Sequence, residues 1–167
     1  MQTENRLFDV DTTNAVVVKD KQYKIPAYKV MLVKEGNAVI AKQKIGSPLD
    51  VVDMMQDYLE GVDRENFVIA MLDTKNNVIG VNTVSIGSLN SSIVHPREVF
   101  KAVLLAGAAS VIMCHNHPSG DPEPSKEDIQ VTNRLVKAGE IIGIEVLDHI
   151  ILGDRTYKSL KEMCVIA

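Results

Sequence analysis

Apolar residues along the chain follow two spacings, one typical of strands and one typical of helices. The β-branched runs NFVIAMLD (66–73) and VIGVNTVSIG (78–87) are joined by the turn-forming letters TKNN, which predicts a buried hairpin. Two more apolar runs, SVIMC (110–114) and IEVLDHIIL (144–152), predict further buried strands.

Helical spacing of apolar residues occurs in three segments: residues 47–59, a segment that begins at Pro96, and a segment from Ser125 to about Glu140. In the first segment, Ser47 is the expected N-cap and Pro48 occupies the first helical position. Because strands and helices alternate, the sequence predicts an α/β fold in which a mixed β-sheet is flanked by helices.

The first 44 residues have a different pattern. After a polar arm, AYKVMLV (27–33) and NAVIAKQK (37–44) predict an N-terminal β-hairpin. We therefore expect two parts, an arm with a hairpin over 1–44 and a single domain over 45–167. The edge of the hairpin could pair with a second copy of the chain, so a homo-oligomer is one expectation.

Composition and charge exclude several classes of protein. The net charge of −4 is unevenly divided, with +3 on residues 1–44 and −7 on the remainder. An acidic body argues against direct binding of nucleic acid, which requires clustered Lys and Arg. The two cysteines fit no disulfide framework, and the sequence shows no signal peptide or membrane-length apolar run. We therefore expect a cytoplasmic protein that does not bind a membrane.

The stretch HNHPSGDPEPSKED, residues 115–128, carries the candidate chemistry. Because alternate residues of an extended segment point the same way, His115 and His117 can aim both imidazoles at one point. A proline-stiffened loop then leads to a predicted helix start that carries Asp128. Two imidazoles and a carboxylate form a catalytic zinc set with a fourth position open for water. The letters also fit a capping box of Ser125 and Asp128, in which Asp128 caps the helix instead of binding metal.

The spacing His-x-His-Pro-x6-Ser-x2-Asp resembles the JAMM motif of MPN-type metallohydrolases. The stretches VHPREVFKAVLLAGAA, CHNHPSGDPEPSKEDI and VLDHIILG resemble the RadC-like branch of this family, over about residues 45–163. This resemblance implies an MPN/JAB-like, cytidine-deaminase-like architecture and a zinc-dependent metallopeptidase or isopeptidase acting on an amide bond. Full-length RadC proteins carry an N-terminal helix-hairpin-helix region, whereas the first 44 residues read as a β-hairpin, so a role in DNA repair gains little support.

The resemblance also implies roles for individual residues. Ser125 would hydrogen-bond the water or the oxyanion of a tetrahedral intermediate. The family pattern needs an upstream glutamate as general base, and Glu65 is preferred over Glu98 because it directly precedes a predicted strand. One zinc ion per chain would be bound by His115, His117 and Asp128.

Several readings stay open at this point. His149, beside Asp148, either fixes the tautomer of a metal ligand or forms a structural hydrogen bond with Asp148. Cys114 should lie in the core, because strand alternation turns it away from the two histidines. His95 most simply ends a loop before a helix. The alternative function is a non-catalytic MPN-like scaffold or binding module, with or without a link to DNA repair.

Overall fold

The computed structural model of the chain describes residues 26–37, 43–87 and 94–166. Contacts divide the chain into two units, Met1–Val30 and Met31–Ala167. Of the first unit, only residues 26–30 are described, and these are exposed and belong to no helix or strand. The elements and the site described below all belong to the second unit.

The described part of the second unit contains three helices and five strands in alternation. In chain order these are α1 (Pro48–Tyr58), β1 (Asn66–Leu72), β2 (Val78–Ile86), α2 (Pro96–Ala106), β3 (Ser110–Asn116), α3 (Lys126–Ile142), β4 (Glu145–Leu152) and β5 (Tyr157–Ser159). None of the helices among the described residues is both long and apolar enough to cross a lipid bilayer.

The five strands form one sheet in the order β2-β1-β3-β4-β5. Strand β1 is antiparallel to both β2 and β3, and β5 is antiparallel to β4. Strands β3 and β4 are parallel, and helix α3 makes the crossover between them. The mixed sheet, the hairpin of β1 and β2, and the α/β class are therefore confirmed.

Both faces of the sheet are covered, and alternate residues of the central strand β1 belong to two different cores. One core holds Phe67, Ile69 and Met71 together with side chains of α2 and α3. The other core holds Val68, Ala70 and Leu72 together with side chains of α1. All seven residues of β1 are buried, as expected for a strand with neighbours on both edges and helices on both faces.

The helix ends follow the predicted signals. Ser47 caps α1, and the Nδ1 atom of His95 accepts a hydrogen bond from the Arg97 N–H at 3.3 Å, which confirms that His95 marks the start of α2. Helix α3 continues to Ile142, two residues beyond the predicted end. It stops at Gly143, whose φ of 75° lies in the left-handed region that glycine adopts without steric cost.

The predicted N-terminal hairpin is not seen among the described residues. Its first strand, predicted over 27–33, is not formed, since residues 26–37 belong to no helix or strand and are exposed. Most of its second strand falls on 38–42, outside the described residues. A β-branched run becomes a strand only where a neighbour takes its backbone hydrogen bonds, and propensity alone does not supply that neighbour.

Candidate metal centre

Four ionisable side chains meet at one end of the sheet. His115 lies near the end of β3, His117 follows that strand, Asp128 lies in the first turn of α3, and Glu65 directly precedes β1. One ligand atom from each of the four lies within 4.8 Å of the others. The topology explains the meeting, because the crossover helix of a parallel β-α-β unit begins at the carboxyl end of its first strand, where ligand sites of α/β sheets form.

The distances within the cluster suit a small cation. The Nε2 atoms of His115 and His117 lie 2.9 Å apart. Asp128 Oδ1 lies 3.5 Å from His115 Nε2, and Asp128 Oδ2 lies 3.6 Å from His117 Nε2. Ligand atoms of a tetrahedral zinc ion, each about 2.0–2.2 Å from the metal, are separated by roughly 3.3 Å. The three residues therefore have the spacing of a metal-ligand set, while Glu65 Oε1 lies farther out, 3.9 Å from His115 Nε2.

The tautomer of His117 follows from its hydrogen-bond partner. Its Nδ1 atom lies 2.7 Å from the backbone carbonyl oxygen of Asp121. A carbonyl oxygen can only accept, so Nδ1 carries the hydrogen and donates it. In the neutral form of His117 the lone pair is then on Nε2, the atom that faces His115.

The tautomer of His115 is set by a longer chain of hydrogen bonds. The Thr132 hydroxyl donates to the backbone carbonyl of Asp128 at 2.7 Å, so its oxygen accepts from His149 Nδ1–H at 2.6 Å. His149 is then left with a lone pair on Nε2, which accepts from His115 Nδ1–H at 2.8 Å. Each hydroxyl or neutral imidazole has one hydrogen to give, which fixes the direction of every step. The lone pair of His115 is therefore also on Nε2.

Burial favours the neutral form of His115 and His149. His115 and His149 are completely buried, and burial lowers the pKa of His115 to about 3, with the Asp128 carboxylate opposing the shift and His117 adding to it. Burial also lowers the pKa of His149 well below its usual value. His115 thus turns the acceptor atom Nε2 toward His117 Nε2 at 2.9 Å. Neutral imidazole is the form that binds metals, and Asp128 adds a carboxylate beside the two ring nitrogens, so the donor set fits a metal ion.

Asp128 caps its helix and faces the cluster at the same time. The Ser125 N–H and the Ser125 hydroxyl both donate to Asp128 Oδ2, at 2.7 Å and 2.6 Å, and Asp128 N–H donates back to the Ser125 hydroxyl oxygen at 3.1 Å. Asp128 Oδ1 meanwhile lies 3.5 Å from His115 Nε2. The cap therefore uses only Oδ2 as its acceptor and leaves Oδ1 facing His115, so this geometry is compatible with both capping and metal binding.

The family of RadC-like JAB domains matches residues 45–165 of the chain. The chain belongs to this family. Among curated proteins, the UPF0758 protein of Moorella thermoacetica is 56% identical over 123 residues, which cover 74% of this chain and 54% of that protein. The UPF0758 protein of Methanosarcina mazei is 57% identical over 121 residues, covering 72% and 53%. The chain thus spans about half the length of the curated relatives it matches.

The two candidate glutamates of the RadC-like domain lie in different surroundings. Glu65 belongs to the cluster with the two histidines and Asp128. Glu98 lies in the first turn of α2, where it accepts hydrogen bonds from Lys101 Nζ at 2.9 Å and from Arg97 Nε at 3.4 Å. Lys101 and Arg97 lower the pKa of Glu98, as expected for an exposed helix-start carboxylate beside cations.

The contacts of His149 and Cys114 in the RadC-like domain decide the hypotheses about these two residues. The His149 side chain contacts His115 and Thr132, whereas the Asp148 carboxylate accepts from backbone N–H groups, including that of His149 at 2.6 Å. His149 is therefore placed to orient His115. Cys114 is buried in the core on the α1 side of the sheet, as predicted, and burial raises the pKa of its thiol.

Two polar residues at the site were not anticipated from the sequence. Thr132 lies one helical turn after Asp128, a spacing that places both on one face of α3, and that periodicity was the available signal. Asn116 stands between the two histidines, and its side chain contacts the segment that carries Glu65.

Proposed function

We propose that this RadC-like domain is a zinc-dependent hydrolase that cleaves amide bonds in peptide or isopeptide substrates, with one zinc ion per chain. The observation that carries the proposal is the convergence of two imidazole rings and one carboxylate, with a second carboxylate just outside them. Membership of the RadC-like JAB family supports the same reading.

His115, His117 and Asp128 would hold the ion. When bound in a site of two histidines and one carboxylate with an open fourth position, zinc lowers the pKa of a bound water to about 7 and polarises a substrate carbonyl. The chain itself contributes the neutral state of His115 and the orientation of both imidazoles. His117 is oriented by the carbonyl of Asp121, and His115 is oriented by His149.

Glu65 is the proposed general base. Its carboxylate is mostly buried, with 18% of the side chain exposed, and lies 3.9 Å from His115 Nε2. A carboxylate beside the ligand triangle, but not part of it, can accept a proton from the nucleophile and later return it to the leaving amine. Glu98 is already engaged by two cations on the surface of α2, which supports the choice of Glu65.

The contacts of Ser125 limit the role that the family resemblance implies for it. Its one hydroxyl hydrogen is donated to Asp128 Oδ2 at 2.6 Å. In this state Ser125 orients the Asp128 carboxylate, and it could stabilise an oxyanion only after releasing that bond. We therefore propose that Ser125 acts first through Asp128, and that oxyanion stabilisation requires its hydroxyl to rotate.

The test combines metal analysis with a search for hydrolysis. Elemental analysis should find about one zinc per chain, and His115→Ala/His117→Ala should abolish it. Zinc-loaded protein should then be screened against peptide and isopeptide libraries, with chelator-treated protein as the control. Cleavage that chelation removes and zinc restores supports the proposal. A protein that holds zinc through these residues and cleaves no member of either library would favour the scaffold alternative.

A further inference from the structure

Asn116 lies between His115 and His117, and its side chain makes hydrogen bonds on both sides of Glu65. Its Oδ1 atom accepts from the Asn66 N–H at 2.9 Å, and its Nδ2 atom donates to the Arg64 carbonyl at 3.1 Å. A single amide group thus holds the residue before Glu65 and the residue after it. Asparagine suits this task because its amide offers an acceptor and a donor side by side.

The hydrogen bonds of the Asn116 side chain occur where the main-chain pairing of β1 and β3 ends. The antiparallel register of β1 and β3 ends at the pair Phe67 and His115. One residue farther along, where Asn66 would face Asn116, the Asn116 side chain takes the Asn66 N–H. A side chain has therefore replaced the next main-chain partner at the point where both strands enter the site.

The backbone of Glu65 is held from the other side as well. Its carbonyl accepts from the Gly87 N–H at 2.7 Å, at the end of β2. Since residues i and i+2 of an extended segment point the same way, Glu65 shares the face of Phe67, which stacks on the His115 ring at 6.3 Å between centroids. With its backbone held on both sides, Glu65 places its carboxylate atom Oε1 3.9 Å from His115 Nε2.

We propose that Asn116 is the positioning residue of Glu65, coupling the location of the general base to the two histidines that flank Asn116. This inference rests on the proposed function, in which Glu65 is the base. Because Asn116 is joined by one peptide bond to each histidine, its amide sets the distance between base and ligands within a single short segment. Such coupling matters because a misplacement of about 1 Å can cost ~10²-fold in rate.

A neighbouring contact helps to separate positioning from simple stability. The Asn66 side chain also donates to the Arg64 carbonyl, at 2.8 Å, so that carbonyl has two donors. The Asn116 side chain bonds the peptide groups on both sides of Glu65, whereas the Asn66 side chain bonds the one that precedes it. Loss of Asn116 should therefore loosen Glu65 even while Asn66 still holds Arg64.

The first arm of the test needs neither metal nor substrate. In metal-free Asn116→Ala, the NMR order parameter of the Glu65 amide should fall from the rigid value of about 0.85 toward 0.6 or below. The matched control is Asn77→Ala, which removes an amide donor to Asp73 in the turn at the other end of the same hairpin. Asn116→Ser serves as a second variant if the alanine variant folds poorly. A Glu65 amide as rigid in both Asn116 variants as in the wild type would overturn the proposal.

The second arm uses zinc-loaded protein. Asn116→Ala should keep its zinc content but lose about 10-fold to 100-fold of hydrolysis, and it should cause little further loss when added to Glu65→Gln. Losses that multiply in the double variant would also overturn the proposal, because Asn116 would then act independently of Glu65. If wild-type protein cleaves nothing, the proposed function fails, while the NMR arm still decides the role of Asn116.

Discussion

The Nδ1 atom of His115 lies 2.8 Å from the Nε2 atom of His149, so one fully buried imidazole orients another. The hydrogen bonds continue through the Thr132 hydroxyl to the backbone carbonyl of Asp128, and we refer to this chain of groups as the relay. The relay begins and ends at two proposed metal ligands, His115 and Asp128. It therefore connects strand β3 to helix α3 behind the site.

The first prediction concerns the threonine of the relay. Thr132→Val keeps the side-chain shape but leaves His149 Nδ1 without its partner, so the tautomer of His115 is no longer enforced. Zinc affinity should fall by about 10-fold to 100-fold, the usual effect of losing a group that orients a ligand. Competition with a chelator measures the affinity, and 15N chemical shifts report the tautomer of His115.

The matched control for this prediction is Thr83→Val, which makes the same substitution in β2. The Thr83 hydroxyl lies 3.1 Å from the Tyr58 hydroxyl, on the face of the sheet opposite the cluster. Its loss should leave zinc affinity unchanged. Equal zinc affinities in Thr132→Val and Thr83→Val would mean that the relay does not act on the metal ligands.

The second prediction separates capping from metal binding. Helix α1 has a capping box of the same kind as α3, with Asp50 accepting hydrogen bonds from Ser47. Both Asp50→Asn and Asp128→Asn should cost about 0.5–2 kcal/mol in the free energy of unfolding of the metal-free protein. Only Asp128→Asn should also weaken zinc binding. Urea unfolding measures the loss of stability, and chelator competition measures zinc affinity. Unchanged zinc affinity in Asp128→Asn would mean that Asp128 is not a metal ligand.

Much of the fold could be predicted from the sequence, because its signals are local. The alternation in residues 66–87 predicted the hairpin of β1 and β2, and Ser47 predicted the start of α1. The first strand predicted for the N-terminal hairpin is not formed, because a strand also needs a neighbour, which a local signal does not supply. Its apolar letters over 27–33 resemble a strand, but those residues are exposed and join no sheet in the structure.

The candidate site was only partly predictable, because some of its partners are distant in sequence. The spacing of His115, His117 and Asp128 indicated a metal site, and the structure brings them together. The contact between His115 and His149 spans 34 residues and depends on the parallel pairing of β3 and β4. The sequence also does not reveal which oxygen of the Asp128 carboxylate makes which contact. In the structure Oδ2 accepts from Ser125, whereas Oδ1 lies near His115 Nε2.

The third prediction concerns the pH dependence of stability in metal-free protein. His115 and His149 have pKa values below the usual 6.5 when folded, so below pH 6.5 the unfolded chain binds protons that the folded chain does not. Their contribution to stability is complete above about pH 6.5 and is lost as the pH falls from there toward the lowered pKa values. Each histidine adds a slope of up to about 1.4 kcal/mol per pH unit.

Urea unfolding with a chelator present, between pH 4.5 and 7.5, measures this slope. His149→Gln should reduce it, whereas His95→Asn, which keeps a side-chain acceptor at the exposed cap of α2, should not. A slope that is the same in His149→Gln and in the wild type would mean that His149 is not held neutral by burial.

The last prediction is that Glu65→Gln abolishes catalysis while leaving folding and metal binding intact. Glutamine keeps the shape of the side chain but cannot accept the proton, so hydrolysis should fall by about 10²-fold or more, the scale for losing a positioned acid–base group. Zinc content should stay near one per chain, because Glu65 Oε1 lies farther from His115 Nε2 than the Asp128 carboxylate does, at 3.9 Å against 3.5 Å. Glu98→Gln is the control, since its carboxylate contacts Lys101 on the surface of α2 and its loss should leave turnover unchanged. Full turnover in Glu65→Gln, together with loss in Glu98→Gln, would transfer the role of general base to Glu98.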